Sequence, residues 1–493
     1  MVRPNPTILE INTWPWLTGL SSQFGRAVSL ATVPDAIWDD IGSRGFDAVW
    51  LMGVWQRSPV GVAIGLDEQP LVDTFRETLP DYTDDDVVGS AYCIRDYVVD
   101  DHLGGPTALK VARAELAARG MDLILDWVPN HVAVDHPWAS AHPDRFIRGD
   151  RADLERAPHE FVEVGGQVIA NGRDPYFAPW RDVLQLNIFD DDLRRAAIAT
   201  LLSVADQCDG IRCDMAMLML GDIFARTWQG RVGEAPEVEY WEAVIGEIRA
   251  AHPSFMFIAE AYWGTENRLL EQGFDFCYDK ELYDAIAHDP AAVADRLDED
   301  PSAAQRSVRF IENHDEPRAQ DVFGDRHRCA AVTVLTQPGA RLVYDGQSVG
   351  RRIRTPVQLG RDPVESPDVA LDDFYRRLLN CLGDNAFHEG QWRRLMVSGW
   401  PGYPCGPGLL AWQWTLDGER WLIVVNLDDR EGAGLVTTDW HAAAGGEVTL
   451  VDPVEDVRYE RAGDDVASEL FVRLQPWGFH VFHVQCERSG DGP

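Results

Sequence analysis

Eight times along this chain a short apolar run gives way to polar residues, and helical spacing fills several of the intervals between runs. The runs are "TILEIN" (7–12), "FDAVWLMGV" (46–54), "MDLILDWVPNH" (121–131), "DGIRCDMAM" (209–217), "FMFIAEAYW" (255–263), "FDFCYD" (274–279), "VRFIENHDE" (308–316) and "ARLVYDG" (340–346). In "FDAVWLMGV" the apolar run is continuous rather than alternating, as in a strand covered on both faces. Between the runs, "TVPDAIWDDIGSRG" has helical spacing and closes on Gly45. "PTALKVARAELAARG" places Leu109, Ala112, Leu116 and Ala117 on one face and stops at Gly120. Eight parallel strands with intervening helices predict an α/β chain with a closed (β/α)8 barrel.

Two stretches break the alternation. Residues 132–188 are rich in Pro, Asp, Gly and aromatics, as in "VEVGGQVIANGRDPYFAPW". That is too long for an ordinary loop and predicts a small domain inserted after the third strand. From about residue 395 the pattern turns to short alternating strands, as in "LLAWQWTLDGERWLIVVNLDD" and "ELFVRLQPWGFHVFHV", which predicts a C-terminal antiparallel β-sandwich. The expected division is barrel 1–131, insertion 132–188, barrel 189–394 and sandwich 395–493.

Composition narrows the partners. A net charge of -37 over 493 residues repels nucleic acid and anionic membranes, whose binding needs a basic face. The basic residues are almost all Arg, with only Lys110 and Lys280 as exceptions. The eight cysteines form no C-x-x-C and no metal-ligand spacing, so they read as free thiols. The opening "MVRPNPTILEINTWPWL" has no basic segment followed by a long apolar core. Both features lead to the expectation of a cytoplasmic protein.

In a barrel of this kind the C-terminal strand ends share one rim, where residues distant in sequence converge. The third strand would bring Asp126, Asn130 and His131; the fourth, Arg212 and Asp214; the fifth, Glu260; the seventh, His314 and Asp315. Carboxylates gathered around an arginine suit retaining glycoside cleavage. One acid attacks the anomeric carbon, a second protonates the leaving oxygen, and a cationic transition state is stabilised between them. Arg212, two residues before Asp214 on the same strand face, is expected to hold Asp214 ionised. Glu260, flanked by Ile258, Ala259, Ala261, Tyr262 and Trp263, is expected in apolar surroundings that raise its pKa.

These segments resemble glycoside hydrolase family 13, the α-amylase family. "DWVPNH", "GIRCD", "IAEAYW" and "FIENHD" are similar to its four conserved regions, in the family's order, and "GSAYCIRDYVVDDHLGG" and "LTQPGARLVYDGQ" resemble further family segments. The resemblance implies that Asp214 is the nucleophile, Glu260 the acid/base and Asp315 the transition-state stabiliser. It also implies that His131 and His314 bind sugar hydroxyls, that Arg212 stands beside the nucleophile, and that Tyr92 is the aromatic platform under the sugar. Non-catalytic relatives usually lose one of these acids, and all three are present here. The implied activity is cleavage of soluble α-glucosides or short maltooligosaccharides. The alternative is a transglycosylase or phosphorylase passing the glucosyl group to an acceptor or phosphate.

The chain also departs from the family pattern. "MAML" follows Asp214 where many starch-degrading members have Lys-His, so Leu218 occupies the histidine position. Gly89 stands where exo-acting α-glucosidases have an Asp that grips the non-reducing end. No cofactor is expected; Asn130, which matches a calcium ligand of calcium-binding α-amylases, is the one residue that leaves calcium open. Asp126 reads equally as a partner of Arg212 and as a substrate contact. Among the tryptophans, Trp263 is the one expected on a sugar face because it adjoins Glu260, whereas Trp14, Trp55, Trp127 and Trp180 read as core or loop packing. Glu312 and Glu316 read as solvent or salt-bridge positions. Arg351, Arg352, Arg354 and Arg361 after the eighth strand suggest either an anionic acceptor or pairing with surplus carboxylates.

Overall fold

The structure is a computed structural model that describes residues 3–298, 304–400, 406, 408–441 and 444–487. All eight expected strands form, as β1 (Thr7–Asn12), β2 (Ala48–Met52), β3 (Asp122–Trp127), β4 (Gly210–Cys213), β5 (Met256–Ala259), β6 (Phe276–Tyr278), β7 (Ser307–Arg309) and β8 (Ala340–Tyr344). Each pairs in parallel with the next, and β1 closes the barrel by pairing with both β2 and β8, with Ile8 opposite Ala48 and Leu342. Helices cover the outside while barrel side chains fill the inside, so nearly every strand residue is buried whichever way it points.

The helices follow the sequence signals with one exception. Asp35–Ser43 and Gly105–Ala118 are both helical, and Gly45 (φ 85°) and Gly120 (φ 77°) supply the left-handed turns that end them. The second helix buries Ala108, Leu109, Ala112 and Leu116, whereas Ala117 faces solvent. Ala117 follows Leu116 directly and is rotated about 100° from it, so the buried stripe extends back to Ala108 instead.

Between β3 and β4 the chain builds a four-stranded antiparallel sheet from His131–Ala133, Phe161–Val164, Gln167–Gly172 and Trp180–Gln185. The short first strand continues directly from the end of β3, which places this sheet against the barrel mouth. At the other end of the chain, a six-stranded sheet that starts at Gln391–Leu395 faces a three-stranded one. Leu409, Leu422, Val436, Leu470 and Phe482 pack between them. Period-2 alternation divides Leu409–Leu416 between two cores: Leu409 and Ala411 enter the sandwich, whereas Leu410, Trp412 and Trp414 join the barrel's core. The Trp412 and Trp414 indoles donate to the Thr336 hydroxyl and carbonyl, tying sandwich to barrel. Among the described residues no helix is long and apolar enough to cross a membrane.

Candidate active site

Strand register brings the acids together. Arg212 on β4 is level with Asp126 on β3 and Ile258 on β5, and Cys213 is level with Ala259. One residue further on, Asp214 and Glu260 therefore leave the barrel side by side. Arg212, only 1% exposed, reaches Asp214 Oδ1 through Nη1 and Glu260 Oε2 through Nη2, each at 2.8 Å. Its Nη1 is 3.9 Å from Asp126 Oδ1. The guanidinium also lies over the rings of Tyr92 and Trp50, at 5.1 and 5.3 Å from their centroids.

Arg212 thus serves both acids, where the sequence suggested Asp214 alone. Burial drives the Asp214 carboxyl up to about 7, with Arg212 opposing and Glu260 adding to the rise. The surroundings of Glu260 are not apolar, contrary to expectation. Its Oε2 accepts from the Met215 backbone at 2.6 Å and its Oε1 from the Tyr262 hydroxyl at 2.9 Å. Met215 can donate there because it adopts a left-handed φ of 43°, an uncommon conformation for a methionine at the point where β4 meets the pocket.

A second charge array supports Asp315. His314 is buried, with Nδ1 2.5 Å from Glu10 Oε1 and Nε2 2.9 Å from Asp315 Oδ2 and 2.7 Å from the Tyr92 hydroxyl. Burial alone would lower the imidazole, but Asp315 and Glu10 on either side raise it to about 10. Burial alone would likewise raise Asp315; the His314 charge and hydrogen bond hold it down to about 2. The Asp315 side chain keeps 47% of its surface open. The linkage signs follow. The raised His314 stabilises the fold fully below its unfolded pKa of about 6.5 and progressively less as pH rises through about 10. The lowered Asp315 stabilises above its unfolded value of about 4 and loses that contribution as pH falls through about 2. Glu10→Gln removes one anion from the array. We expect its melting temperature, scanned from pH 7 to 10.5, to begin its alkaline fall at lower pH than the wild type; superimposable curves would show that Glu10 does not hold the proton on His314.

Above these groups opens a pocket of about 390 Å³ whose walls include Tyr92, His131, Asp214, Glu260 and Asp315, within the range of roughly 300–1,000 Å³ usual for small-ligand sites. Of the residues singled out in the sequence, these five line it. Asp126, Arg212 and His314 lie beneath its floor, with Asp126 accepting from the Gly53 backbone at 3.1 Å. Only glycine suits position 53, where φ is 74° and a Cβ would meet the Arg57 guanidinium. Trp263 stands on the rim, 41% exposed and left-handed (φ 64°), edge-to-face with Tyr176 at 4.8 Å. Sequence reasoning missed Glu10, Met215, Tyr262 and Asp182, and it read as core or loop packing a further wall residue, Trp180. The last two line the pocket from the inserted sheet. An acid inside the apolar run "TILEIN" was the available signal for Glu10; the others follow from backbone placement that no motif marks. Glu312 is not at a solvent position but fully buried, 2.7 Å from Arg318 Nη1, while Glu316 lies 3.5 Å from Lys280.

The arginines after β8 divide. Arg351 pairs with Asp362 (2.6 Å) and Arg361 with Asp86 (2.5 Å) and Asp81 (2.9 Å). Arg354 donates to the Asp315 carbonyl at 2.8 Å. Carboxylates thus occupy two of the four, which weakens the case for an anionic acceptor.

No protein-family profile matches the chain. In sequence it is 21% identical to Alpha-amylase 3 of Dictyoglomus thermophilum over 51% of each chain. It is 24% identical to Alpha-amylase MalA of Haloarcula japonica, over 68% of this chain and 49% of that one. The chain thus spans about half the length of both. In structure it superposes on an α-amylase from Lactobacillus plantarum with a TM-score of 0.68 and 20% identity, covering 97% of this chain and 98% of that one. The chain has the fold of these α-amylases.

Calcium, which the resemblance of Asn130 left open, does not fit here. The Asn130 side chain is buried, and its Oδ1 accepts from Gln185 Nε2 at 2.8 Å. The position facing that oxygen therefore holds an N–H donor, where a cation would need another oxygen. Among the described residues no group of three or more His, Cys, Asp or Glu converges as a metal site.

Proposed function

We propose that the chain is a retaining α-glycosidase that cleaves α-glucosidic bonds of soluble α-glucosides or short maltooligosaccharides through a covalent β-glucosyl intermediate on Asp214. The observation that carries this reading is the fork of Arg212, which holds Asp214 and Glu260 on its two terminal nitrogens at 2.8 Å each. Two carboxyls tied to one guanidinium are kept within a short span, and retention needs them about 5 Å apart.

The geometry supports the following steps. The anomeric carbon sits over Asp214, whose carboxylate attacks as Glu260 gives its proton to the leaving oxygen. Attack requires Asp214 ionised and the proton on Glu260. Asp315, kept anionic by His314, faces the positive charge that develops on the sugar. Tyr92 and His131 border the same sugar; burial holds His131 down to about 4, so it is neutral at working pH. Glu260, now a carboxylate, then takes a proton from water as the water oxygen attacks the anomeric carbon and the bond to Asp214 breaks, which releases the sugar with its configuration retained. The described cysteines are all unpaired, in keeping with a cytoplasmic setting and soluble substrates.

Incubation with a panel of α-glucosides, with and without phosphate, and chromatography of the products is the test. Free glucose or short maltooligosaccharides in both conditions support hydrolysis; glucosyl phosphate or new glucosides would replace it with phosphorolysis or transfer.

Trp263, Tyr176 and Phe177 are 41, 63 and 74% exposed. The buried Asp174 braces the last two by accepting from both backbone amides, at 2.6 and 2.9 Å. A ledge of rings beside Glu260 suits the apolar face of the departing sugar. Trp263→Ala is expected to raise KM for maltooligosaccharides about 2- to 10-fold, the equivalent of roughly 0.5–1.5 kcal/mol of ring contact. It should leave α-glucosyl fluoride, whose leaving group has no ring, unaffected. Equal effects on both substrates would take Trp263 out of the sugar path.

A further inference from the structure

Gln185 ends the strand Trp180–Gln185 and is fully buried. Its side-chain nitrogen faces three oxygens: Asn130 Oδ1 at 2.8 Å, the Asn130 carbonyl at 3.0 Å and the Leu186 carbonyl at 3.1 Å. An amide nitrogen carries two hydrogens, so three acceptors exceed what it can serve one to one. The other end of the amide is fixed independently, because Oε1 accepts from the Arg173 backbone at 3.3 Å. Turning the amide over would set oxygen against three oxygens, so its orientation is determined. A nest of carbonyl and carboxamide oxygens is also the kind of surrounding that hard cations take.

The consequence reaches the pocket. With Oδ1 committed to Gln185, the Asn130 side chain must turn its Nδ2 to His131, where it lies 3.1 Å from Nδ1. A donor at Nδ1 leaves the proton of the neutral imidazole on Nε2. His131 also pairs with Gln185 across the inserted sheet.

We infer that the Gln185 carboxamide is a built-in substitute for a bound cation, and that through Asn130 it is the positioning residue for His131. Asn130 and Leu186 gather their oxygens around an N–H donor instead of a metal. The inserted sheet is thereby joined to the end of β3 without an ion, and His131 is held in one tautomer. The positioning half rests on the proposed glycosidase reaction; the cation half does not.

The test compares wild type, Gln185→Glu and Gln185→Leu as full chains, by melting temperature in EDTA and in calcium chloride and by kinetics on α-glucosyl fluoride. Wild type should melt at the same temperature in both solutions. Gln185→Glu puts an anion among three oxygens, so it should melt lower in EDTA and recover by several degrees as calcium is added, in a concentration-dependent way. Gln185→Leu, which has no ligand to offer, should melt lower in both. For the positioning role, calcium should return kcat of Gln185→Glu to within about threefold of wild type while leaving Gln185→Leu at least tenfold down, assayed below each variant's melting range. A wild-type melting temperature that rises with calcium, or a Gln185→Glu variant indifferent to it, overturns the substitution. Full kcat in Gln185→Leu overturns the positioning role. If wild type cleaves no α-glucoside, the glycosidase reading falls, and the melting curves still decide the cation question.

Discussion

Asp214→Asn is expected to lower turnover of maltooligosaccharides by about 10⁴-fold or more, since under the proposed mechanism it removes the group that forms the covalent bond, while leaving the protein folded. The stability expectation follows from the sign of the Asp214 shift. A carboxyl raised to about 7 in the fold resists ionisation there more than in the unfolded chain, where its value is about 4. Between those values the fold loses stability as pH rises. A neutral asparagine escapes that loss. The variant should therefore melt no lower than wild type at pH 8, with its relative advantage shrinking toward pH 4. Glu260→Gln separates the two roles. It should fail on oligosaccharides, whose leaving oxygen needs a proton, yet still turn over α-glucosyl fluoride, because fluoride departs without one. Added azide should speed that reaction and yield α-glucosyl azide, since azide needs no general base. Wild-type turnover in Asp214→Asn would remove the nucleophile; equal loss on fluoride and oligosaccharide in Glu260→Gln would remove the acid.

How much of this was legible beforehand depended on whether the information is local. The barrel strands were, because burial on both faces writes itself as a mostly apolar run, and all eight form where those runs lie. The acids were legible because a polar tip on a buried strand has few explanations. The depth of each side chain was not. His314 read as a substrate contact, Asp126 as that or a partner of Arg212, and Arg212 as the neighbour of Asp214; register and side-chain length seat all three under the floor, where they arrange the residues that line the pocket. Glu312 read as a solvent or salt-bridge position; it is in a salt bridge, and its partner Arg318, six residues on, lies with it in the core. Glu260 looked apolar because most of its sequence neighbours are, whereas its polar partners are Arg212 and the Met215 amide, brought in from an adjacent strand and a strained turn, together with the hydroxyl of Tyr262 two residues on. Gln185 carried no signal, because its meaning lies in three oxygens that converge only in the folded sheet.

Arg212→Met carries the largest expected loss of stability. It keeps volume and removes the cation that lies 2.8 Å from Asp214 and Glu260 and 3.9 Å from Asp126. Breaking a buried ion pair from one side costs about 3–5 kcal/mol, because the remaining charge is left in a poor solvent. Here the remaining charges are carboxylates, and they have an exit: they can bind protons. With the guanidinium gone, folding favours the protonated acids more strongly, so the folded variant holds more protons than its unfolded chain over a wider range of pH than wild type does. Its stability must then fall faster as pH rises. Denaturant unfolding at pH 8 should show the full difference of about 3–5 kcal/mol from wild type, and at pH 4 most of it should be gone. A difference that stays constant between the two pH values would mean that Arg212 acts by packing against Tyr92 and Trp50 rather than by charge. Activity should be lost at both, since an acid kept protonated beneath the sugar cannot attack it.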